Sequence, residues 1–250
     1  MLDYSKQIPT EYWEECTHKG KLVLEKYKGK AIDVYIPYGY SPEKMYPIFY
    51  FKMGWGNTAK QFFTYDGYTS HFEYVLDNLI DREEIEPCIV VSIDGETKGS
   101  WLPENAYGLI CFVEGKLTTY ACRDANKIIE SAPHRAVGGW SYGAIECRSM
   151  LVNERNNDFW RYFGWYDIQS GYNSSGMNSI SGIPFVGCVA GSNDDPKCVR
   201  FTADCAKFFM EKEKFKKDRA QIVPGYMHMI KFQLAYFYNA IRYFFGMNEN

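Results

Sequence analysis

Four short apolar runs, widely spaced along the chain, do most to constrain its fold. They are rich in Val, Ile and Phe and cover residues 47–51, 88–93, 135–140 and 184–190. Runs of this length and composition predict strands that are buried on both faces of a parallel sheet. Between them, apolar residues recur at three- and four-residue spacing, which predicts helices. The sequence therefore predicts an α/β fold with a doubly wound, mostly parallel sheet.

Two pairs of β-prone segments predict additions to this sheet. Residues 21–24 and 31–36 flank a short polar turn and predict an antiparallel hairpin at the N-terminal end. Residues 109–120 contain two apolar segments on either side of Glu114-Gly115, which predicts a second hairpin inserted above the sheet. Because no repeat or linker divides the chain, residues 1–250 are expected to form a single domain.

Charge, hydropathy and cysteine spacing exclude several classes of protein. The chain has 28 Lys and Arg against 31 Asp and Glu, without a basic run, so no nucleic-acid partner is expected. The most apolar stretch is interrupted by Lys231, Gln233 and Arg242, so no membrane span is expected. None of the eight cysteines forms a C-x-x-C pair, which removes the usual zinc-ribbon and thioredoxin motifs. No metal or organic cofactor is expected, and the pairing of the cysteines stays open.

A G-x-S-x-G pentad marks a candidate nucleophile. Residues 139–143 read Gly-Trp-Ser-Tyr-Gly, directly after a predicted strand and before a predicted helix. Strand, sharp turn and helix form a nucleophile elbow, which lifts the serine hydroxyl clear at the carboxyl edge of the sheet. The alternative is an ordinary glycine-rich turn with a structural serine. The context favours Ser141 as a nucleophile.

A serine nucleophile requires a base, and the chain has four histidines. His18 lies in the polar N-terminal arm, and His71 begins an amphipathic helix. His134 precedes the nucleophile strand, at the opposite edge of the sheet. His228 follows a β-prone segment and so returns to the carboxyl edge beside Ser141. Elimination therefore favours His228 as the base.

An acid that orients the imidazole is expected after the strand over residues 184–190. Asp194 stands there and gives the order Ser, Asp, His that α/β hydrolases share. Asp195 is its near rival, and the other role open to Asp195 is the N-cap of the next helix. Asp167 follows an earlier strand and is a weaker candidate.

Backbone N–H groups and aromatic rings complete the predicted site. The oxyanion hole is expected to use the N–H of Tyr142, after the nucleophile, and that of Trp55, after the first parallel strand. Aromatic residues make up 18% of the chain, which suits either a ring-binding site or a ring-packed core. Five of them are predicted to bind a planar substrate: Trp55, Trp101, Tyr107, Trp140 and Tyr142. Of these, Trp101 and Tyr107 are predicted to lie in a polar loop over residues 95–108 at the carboxyl edge. The alternative is that these rings only pack against each other or bind a sugar chain.

Together the motifs resemble those of carbohydrate esterase family 1, an esterase D-like group that includes feruloyl and acetylxylan esterases. The likeness covers residues 36–245 and is carried by four motifs, residues 46–56, 135–143, 191–194 and 225–228. It implies the α/β-hydrolase fold, secretion after removal of a leader, and, through a G-x-x-D pattern, Asp194 as the acid. Met53, Trp140 and Tyr142 depart from the residues usual in the family, and the last two place extra aromatic surface beside the nucleophile.

The sequence thus predicts a monomeric serine esterase that cleaves feruloyl esters of plant cell-wall arabinoxylan through an acyl-enzyme. An acetylxylan esterase is the alternative among enzymes, because the four motifs specify the acyl group less than the fold. A non-catalytic carbohydrate-binding protein built on a hydrolase scaffold is the alternative from another class.

Overall fold

The computed structural model describes residues 1–65, 70–95, 100–117, 132–152, 157–169, 177 and 184–247. Ten strands lie in this part of the chain: β1 (Lys21–Tyr27), β2 (Lys30–Ile36), β3 (Ile48–Lys52), β4 (Thr64–Tyr65), β5 (Ser70–His71), β6 (Ile89–Ile93), β7 (Arg135–Trp140), β8 (Tyr162–Tyr166), β9 (Phe185–Gly191) and β10 (Arg219–Val223). Six helices accompany them: α1 (Lys60–Phe63), α2 (Phe72–Asp81), α3 (Trp101–Leu117), α4 (Tyr142–Val152), α5 (Pro196–Glu211) and α6 (Ile230–Phe245).

Eight of these strands form one sheet in the order β1-β2-β6-β3-β7-β8-β9-β10. β1 pairs with β2 and β2 with β6 in antiparallel orientation, whereas the remaining neighbours are parallel. The four apolar runs are β3, β6, β7 and β9, so the prediction of a doubly wound α/β-hydrolase sheet with an N-terminal hairpin is confirmed. The register places Lys52 of β3 beside Gly139 of β7, so the loops that follow these strands meet at the carboxyl edge.

Helices cover both faces of the sheet, which explains why its strands are apolar on both sides. Buried residues of α3, α4 and α5 form one core, and those of α2, α6 and the N-terminal segment form the other. The second core is strongly aromatic. Phe237 of α6 lies 4.4 to 5.7 Å, between ring centroids, from Phe49, Phe51, Phe62 and Phe72. Much of the aromatic content therefore stabilises the fold.

The predicted hairpin over residues 109–120 is wrong, because residues 101–117 form the single helix α3. Leu109, Ile110 and Val113 lie on its buried face. Glu114 is also buried. Its carboxylate pairs with the Arg135 guanidinium at 2.7 Å, which compensates its charge inside the protein. Glu114-Gly115, which resembled a hairpin turn, thus lies inside a helix, and Glu114 forms an internal ion pair. Residues 118–120 lie outside the described part of the chain.

The described residues also bear on the cysteines and on the membrane. Seven cysteines there are free thiols: Cys16, Cys88, Cys111, Cys147, Cys188, Cys198 and Cys205. Cys122 lies outside the described residues. None of the described helices combines the length and apolar character that a membrane span needs.

Candidate active site

Ser141 occupies a strained turn between β7 and α4. Its φ is 55°, in the left-handed region that non-glycine residues rarely adopt. Two backbone hydrogen bonds hold the turn: Ser141 N–H donates to the Tyr166 carbonyl at 2.8 Å, and Ala144 N–H donates to the Ser141 carbonyl at 3.1 Å. Gly143 is required because a Cβ there would lie 2.2 Å from the Lys52 carbonyl oxygen. The pentad therefore folds as the predicted elbow, with the serine at the carboxyl edge.

Asp194 and His228 form a hydrogen-bonded pair at the same edge. The Nδ1 atom of His228 lies 3.0 Å from Oδ1 and 3.2 Å from Oδ2 of Asp194. The Asp194 side chain is fully buried, and 26% of the His228 side chain is exposed. Their loops are joined because Asn193 N–H donates to the Tyr226 carbonyl at 2.9 Å. This arrangement directs Nδ1 toward the acid and leaves Nε2 as the nitrogen available to act as a base.

Trp140 brings this pair next to the serine. It is the residue before Ser141, and its indole stacks on the His228 ring with centroids 4.7 Å apart and planes at 30°. The other histidines lie elsewhere: His18 contacts Asp81 at 2.6 Å, and His71 contacts Glu73 at 2.9 Å. His134 lies exposed before β7, at the amino edge. The structure therefore brings the histidine that elimination favoured to the neighbourhood of Ser141.

The two adjacent aspartates have different surroundings. Asp195 caps α5, since its carboxylate accepts a hydrogen bond from Lys197 N–H at 2.8 Å. Asp194 accepts instead from His228 and from the Asp195 N–H. Burial alone raises the pKa of Asp194, but hydrogen bonds from His228 and Asp167 and the charge of His228 outweigh it and leave this pKa lowered. Asp194 is therefore an ionised partner for the imidazole.

The loop after β3 lies against the nucleophile. A Cβ on Gly54 would come within 3.2 Å of the Ser141 Cβ, so the glycine allows this close approach. Trp55, the next residue, is 67% exposed at the entrance to the site. Tyr142 is half-buried and begins α4. The two residues expected to supply oxyanion N–H groups thus lie next to Ser141 in space or in sequence.

No family model matches the chain. Endo-1,4-beta-xylanase Y of Acetivibrio thermocellus is 30% identical over 270 residues and matches 96% of this chain, which spans about a quarter, 24%, of that protein's length. A serine-to-alanine mutant of the feruloyl esterase module from Clostridium thermocellum, complexed with sinapinate, is 27% identical over 100% of this chain and 98% of its own, with a TM-score of 0.78. The resemblance to feruloyl esterases of carbohydrate esterase family 1 is confirmed.

A more distant feruloyl esterase shares the same architecture. The carbohydrate esterase family 1 ferulic acid esterase from the anaerobic fungus Anaeromyces mucronatus is 17% identical over 97% of both chains, with a TM-score of 0.66. At this identity the likeness concerns the fold alone. It is consistent with the eight-stranded sheet and the strand order described above.

Two aromatic residues predicted to bind substrate lie on α3 of this esterase fold rather than in a loop. Trp101 is half-buried beneath the Lys52 ammonium, which lies 5.1 Å from its ring centroid. Tyr107 lies further along the helix, with its ring 6.2 Å from Phe159. The Phe159 carbonyl accepts a hydrogen bond from Arg135 at the first residue of β7, which is the amino edge. Tyr107 thus lies beside Phe159 on the amino side of the sheet, and the pocket proposed below does not include it.

Trp140 also has a different environment from the one predicted. Only 6% of its surface is exposed. One face of its indole stacks on His228, and its Nε1 donates to Asp167 Oδ2 at 3.1 Å. The indole therefore packs against the imidazole and the Asp167 carboxyl, which leaves little of the ring for a ligand. The Asp167 contact could not be predicted from the sequence, because it depends on which strands are neighbours.

Cys198 brings a potential metal ligand close to the acid–base pair. One ligand atom each from Asp194, Cys198 and His228 lie within 4.8 Å of one another. Burial, with the nearby Asp194 and Asp167 carboxyls, raises the pKa of the Cys198 thiol, so the thiolate that binds metals is disfavoured. The thiol donates instead to the Asp167 carbonyl at 3.3 Å. These contacts fit a hydrogen-bonded acid–base pair better than a metal centre.

Proposed function

We propose that the protein is a secreted, monomeric serine esterase that hydrolyses feruloyl and related hydroxycinnamoyl esters of plant cell-wall arabinoxylan, with residues 1–250 as one catalytic domain. The observation that carries this proposal is the placement of Ser141 on a strained elbow beside the stacked Asp194–His228 pair. Similarity to a feruloyl esterase module over the full chain supports a hydroxycinnamoyl group as the acyl part of the substrate. The xylanase relative supports a substrate derived from xylan.

The geometry supports a two-step acyl transfer. His228 Nε2 removes the proton from Ser141 Oγ as this oxygen attacks the ester carbonyl, while Asp194 holds the imidazole through Nδ1. The N–H groups of Trp55 and Tyr142 stabilise the oxyanion. The tetrahedral intermediate collapses, and the sugar alcohol leaves with the proton from His228. Water then attacks the acyl-enzyme with His228 again as the base, which releases ferulate and regenerates Ser141.

Exposed apolar surface at the entrance favours an aromatic acyl group over acetyl. Trp55 is 67% exposed and Met227, the neighbour of His228, is 39% exposed. A planar hydroxycinnamoyl ring would cover this surface on binding, whereas an acetyl group would leave it in water. The Trp55 ring is accordingly the proposed contact for the substrate ring, with Tyr142 beside it.

Hydrolysis of methyl ferulate beside 4-nitrophenyl acetate, on the wild type and on Ser141→Ala, tests the function. We expect the wild type to hydrolyse methyl ferulate and the variant to lose at least about 10³-fold in kcat, since a triad without its nucleophile loses its covalent route. Ferulate binding, measured by calorimetry, should persist in the variant. Hydrolysis of the acetate alone would favour the acetylxylan alternative, and no hydrolysis of either ester would favour a carbohydrate-binding protein.

Replacement of Trp55 tests the aromatic contact. In Trp55→Ala we expect the KM for methyl ferulate to rise about five- to tenfold, because a stacked ring contributes about 1 kcal/mol. The kinetics with 4-nitrophenyl acetate should change less. Tyr38→Ala is the matched control, since Tyr38 is a similarly exposed ring, 58%, that lies outside the site. Equal effects of Trp55→Ala on both esters would contradict a specific ring contact.

A further inference from the structure

Asp167 is a buried carboxyl group that the mechanism above does not use. It directly follows β8, has no exposed surface and adopts a φ of 49°. Two donors contact its side chain: Trp140 Nε1–H reaches Oδ2 at 3.1 Å, and Gly191 N–H reaches Oδ1 at 3.3 Å. Both donors belong to strands that also position the site, since Trp140 precedes the nucleophile and Gly191 precedes the acid turn.

The Asp167 carboxyl also faces that of Asp194. Gly191 joins the two residues, since its N–H donates to Asp167 Oδ1 at 3.3 Å and its carbonyl accepts from Asp194 N–H at 3.2 Å, and the two side chains are close enough to share a hydrogen bond. A hydrogen bond between two carboxyl groups requires a proton on one of them, because two carboxylates can only accept. Asp194 already accepts from His228 Nδ1 and from Asp195 N–H, as an ionised group does. The shared proton therefore belongs on Asp167, which accepts from neutral donors only.

We propose that Asp167 is a positioning residue, which donates its carboxyl O–H to Asp194 and thereby fixes the acid that holds His228. Trp140 completes the arrangement, since it bonds Asp167 through Nε1 and stacks on the His228 ring. The four side chains thus contact one another in a ring around the base. Asp167 contacts Asp194, and Asp194 contacts His228. His228 in turn stacks on Trp140, which donates to Asp167. This inference rests on the proposed function for its kinetic consequences, but not for the position of the proton.

The surroundings favour a neutral Asp167. Burial, together with the adjacent Asp194, raises the pKa of Asp167 well above its ordinary value. Besides His228, two titratable groups of the described residues face the carboxyl pair, Cys198 of α5 and Tyr236 of α6. Burial raises the pKa of both, so each is uncharged at neutral pH, and neither a thiol nor a phenol can carry a positive charge that would ionise Asp167.

The pH profile of kcat/KM in Asp167→Asn tests the proposal. An asparagine amide can donate to Asp194 as the protonated carboxyl does, but its nitrogen cannot accept, so one of the hydrogen bonds from Trp140 Nε1–H and Gly191 N–H is lost. We expect this variant to lose less than about tenfold in kcat and to leave the acid limb of the profile in place. If Asp167 were ionised, the substitution would remove a negative charge near His228, make the imidazolium less favourable and move the acid limb to lower pH. That movement would overturn the proposal.

Asp167→Ala provides the complementary result. It removes the donor to Asp194, so we expect kcat to fall at least tenfold with little change in KM, whereas a purely structural role would lower stability and leave kcat of the folded enzyme intact. Asp218→Ala is the matched control, because Asp218 is a partly buried carboxyl that accepts from Val186 N–H at 3.1 Å near the amino edge. An alanine variant with wild-type kcat would contradict the positioning role.

Infrared difference spectra show whether the Asp167 carboxyl is protonated, without any assay of turnover. At pH 7 the wild type minus Asp167→Asn should contain the C=O band of a protonated carboxylic acid. Loss of carboxylate bands alone would overturn the proposal even in an inactive protein. An enzyme without esterase activity that shows the acid band would instead contradict the proposed function and leave the proton on Asp167.

Discussion

Asp194→Asn is expected to lower kcat for methyl ferulate by about 10⁴-fold, because an asparagine cannot hold the His228 imidazole with Nδ1 as the protonated nitrogen. The amide would donate to Nδ1 and turn the proton to Nε2, the nitrogen that must accept from Ser141. The fully buried carboxylate also stabilises the imidazolium that forms during attack, with Nδ1 at 3.0 Å. Substrate binding should change little, so the loss should appear in kcat rather than in KM.

Asp195→Asn is the matched control for this variant. Asp195 is the adjacent residue and caps α5 through Lys197 N–H, a role that asparagine performs about as well. We therefore expect its kcat to stay within about twofold of the wild type. Comparable losses in the two variants would contradict the assignment of the acid to Asp194. Steady-state kinetics at pH 7, with circular dichroism to establish that both variants fold, distinguishes the outcomes.

The second large effect concerns the Glu114–Arg135 ion pair between α3 and β7. Arg135 Nε and Nη2 reach the two oxygens of Glu114 at 2.7 and 2.8 Å, and both side chains are almost wholly buried, with 2% and 1% exposed. Tyr50 donates to the same carboxylate at 3.0 Å. Removal of one partner leaves the other charge buried, so Glu114→Gln and Arg135→Met should each cost about 3–5 kcal/mol in the free energy of unfolding.

An exposed ion pair between the same helix and β1 supplies the comparison. Lys116 lies 3.0 Å from Glu25, with 48% and 33% of the two side chains exposed. Glu25→Gln should cost less than about 1 kcal/mol, because water screens this pair. Urea unfolding followed by tryptophan fluorescence measures all three variants. Equal costs for Glu114→Gln and Glu25→Gln would contradict the argument that burial gives the Arg135 pair its large effect.

The sequence predicted those parts of the structure that depend on local pattern. Apolar runs located the strands, and a pentad between strand and helix located the strained turn at Ser141. The position of His228 followed from the edge of the sheet to which its segment returns. Asp194 and Asp195 could not be separated by pattern, because adjacent residues stand at almost the same distance from the end of β9. The family resemblance separated them, and the structure places Asp194 against His228.

Features that depend on packing between distant segments could not be predicted. Two apolar segments around Glu114-Gly115 resembled a hairpin because the sequence does not show that Glu114 pairs with Arg135 inside the protein. Tyr107 resembled a loop residue for the same reason, since the extent of α3 was missed. The contact of Asp167 with Trp140 depends on β7 and β8 being neighbours, and strand order cannot be deduced from the composition of single strands.

Detection of the acyl-enzyme tests the central claim most directly. Wild-type protein mixed with excess 4-nitrophenyl ferulate, quenched in acid and measured by intact mass spectrometry, should gain the mass of one feruloyl group. Peptide mapping should place this group on Ser141, and Ser141→Ala should remain unmodified under the same conditions. Hydrolysis without a covalent adduct, or an adduct on another residue, would contradict the assignment of Ser141 as the nucleophile.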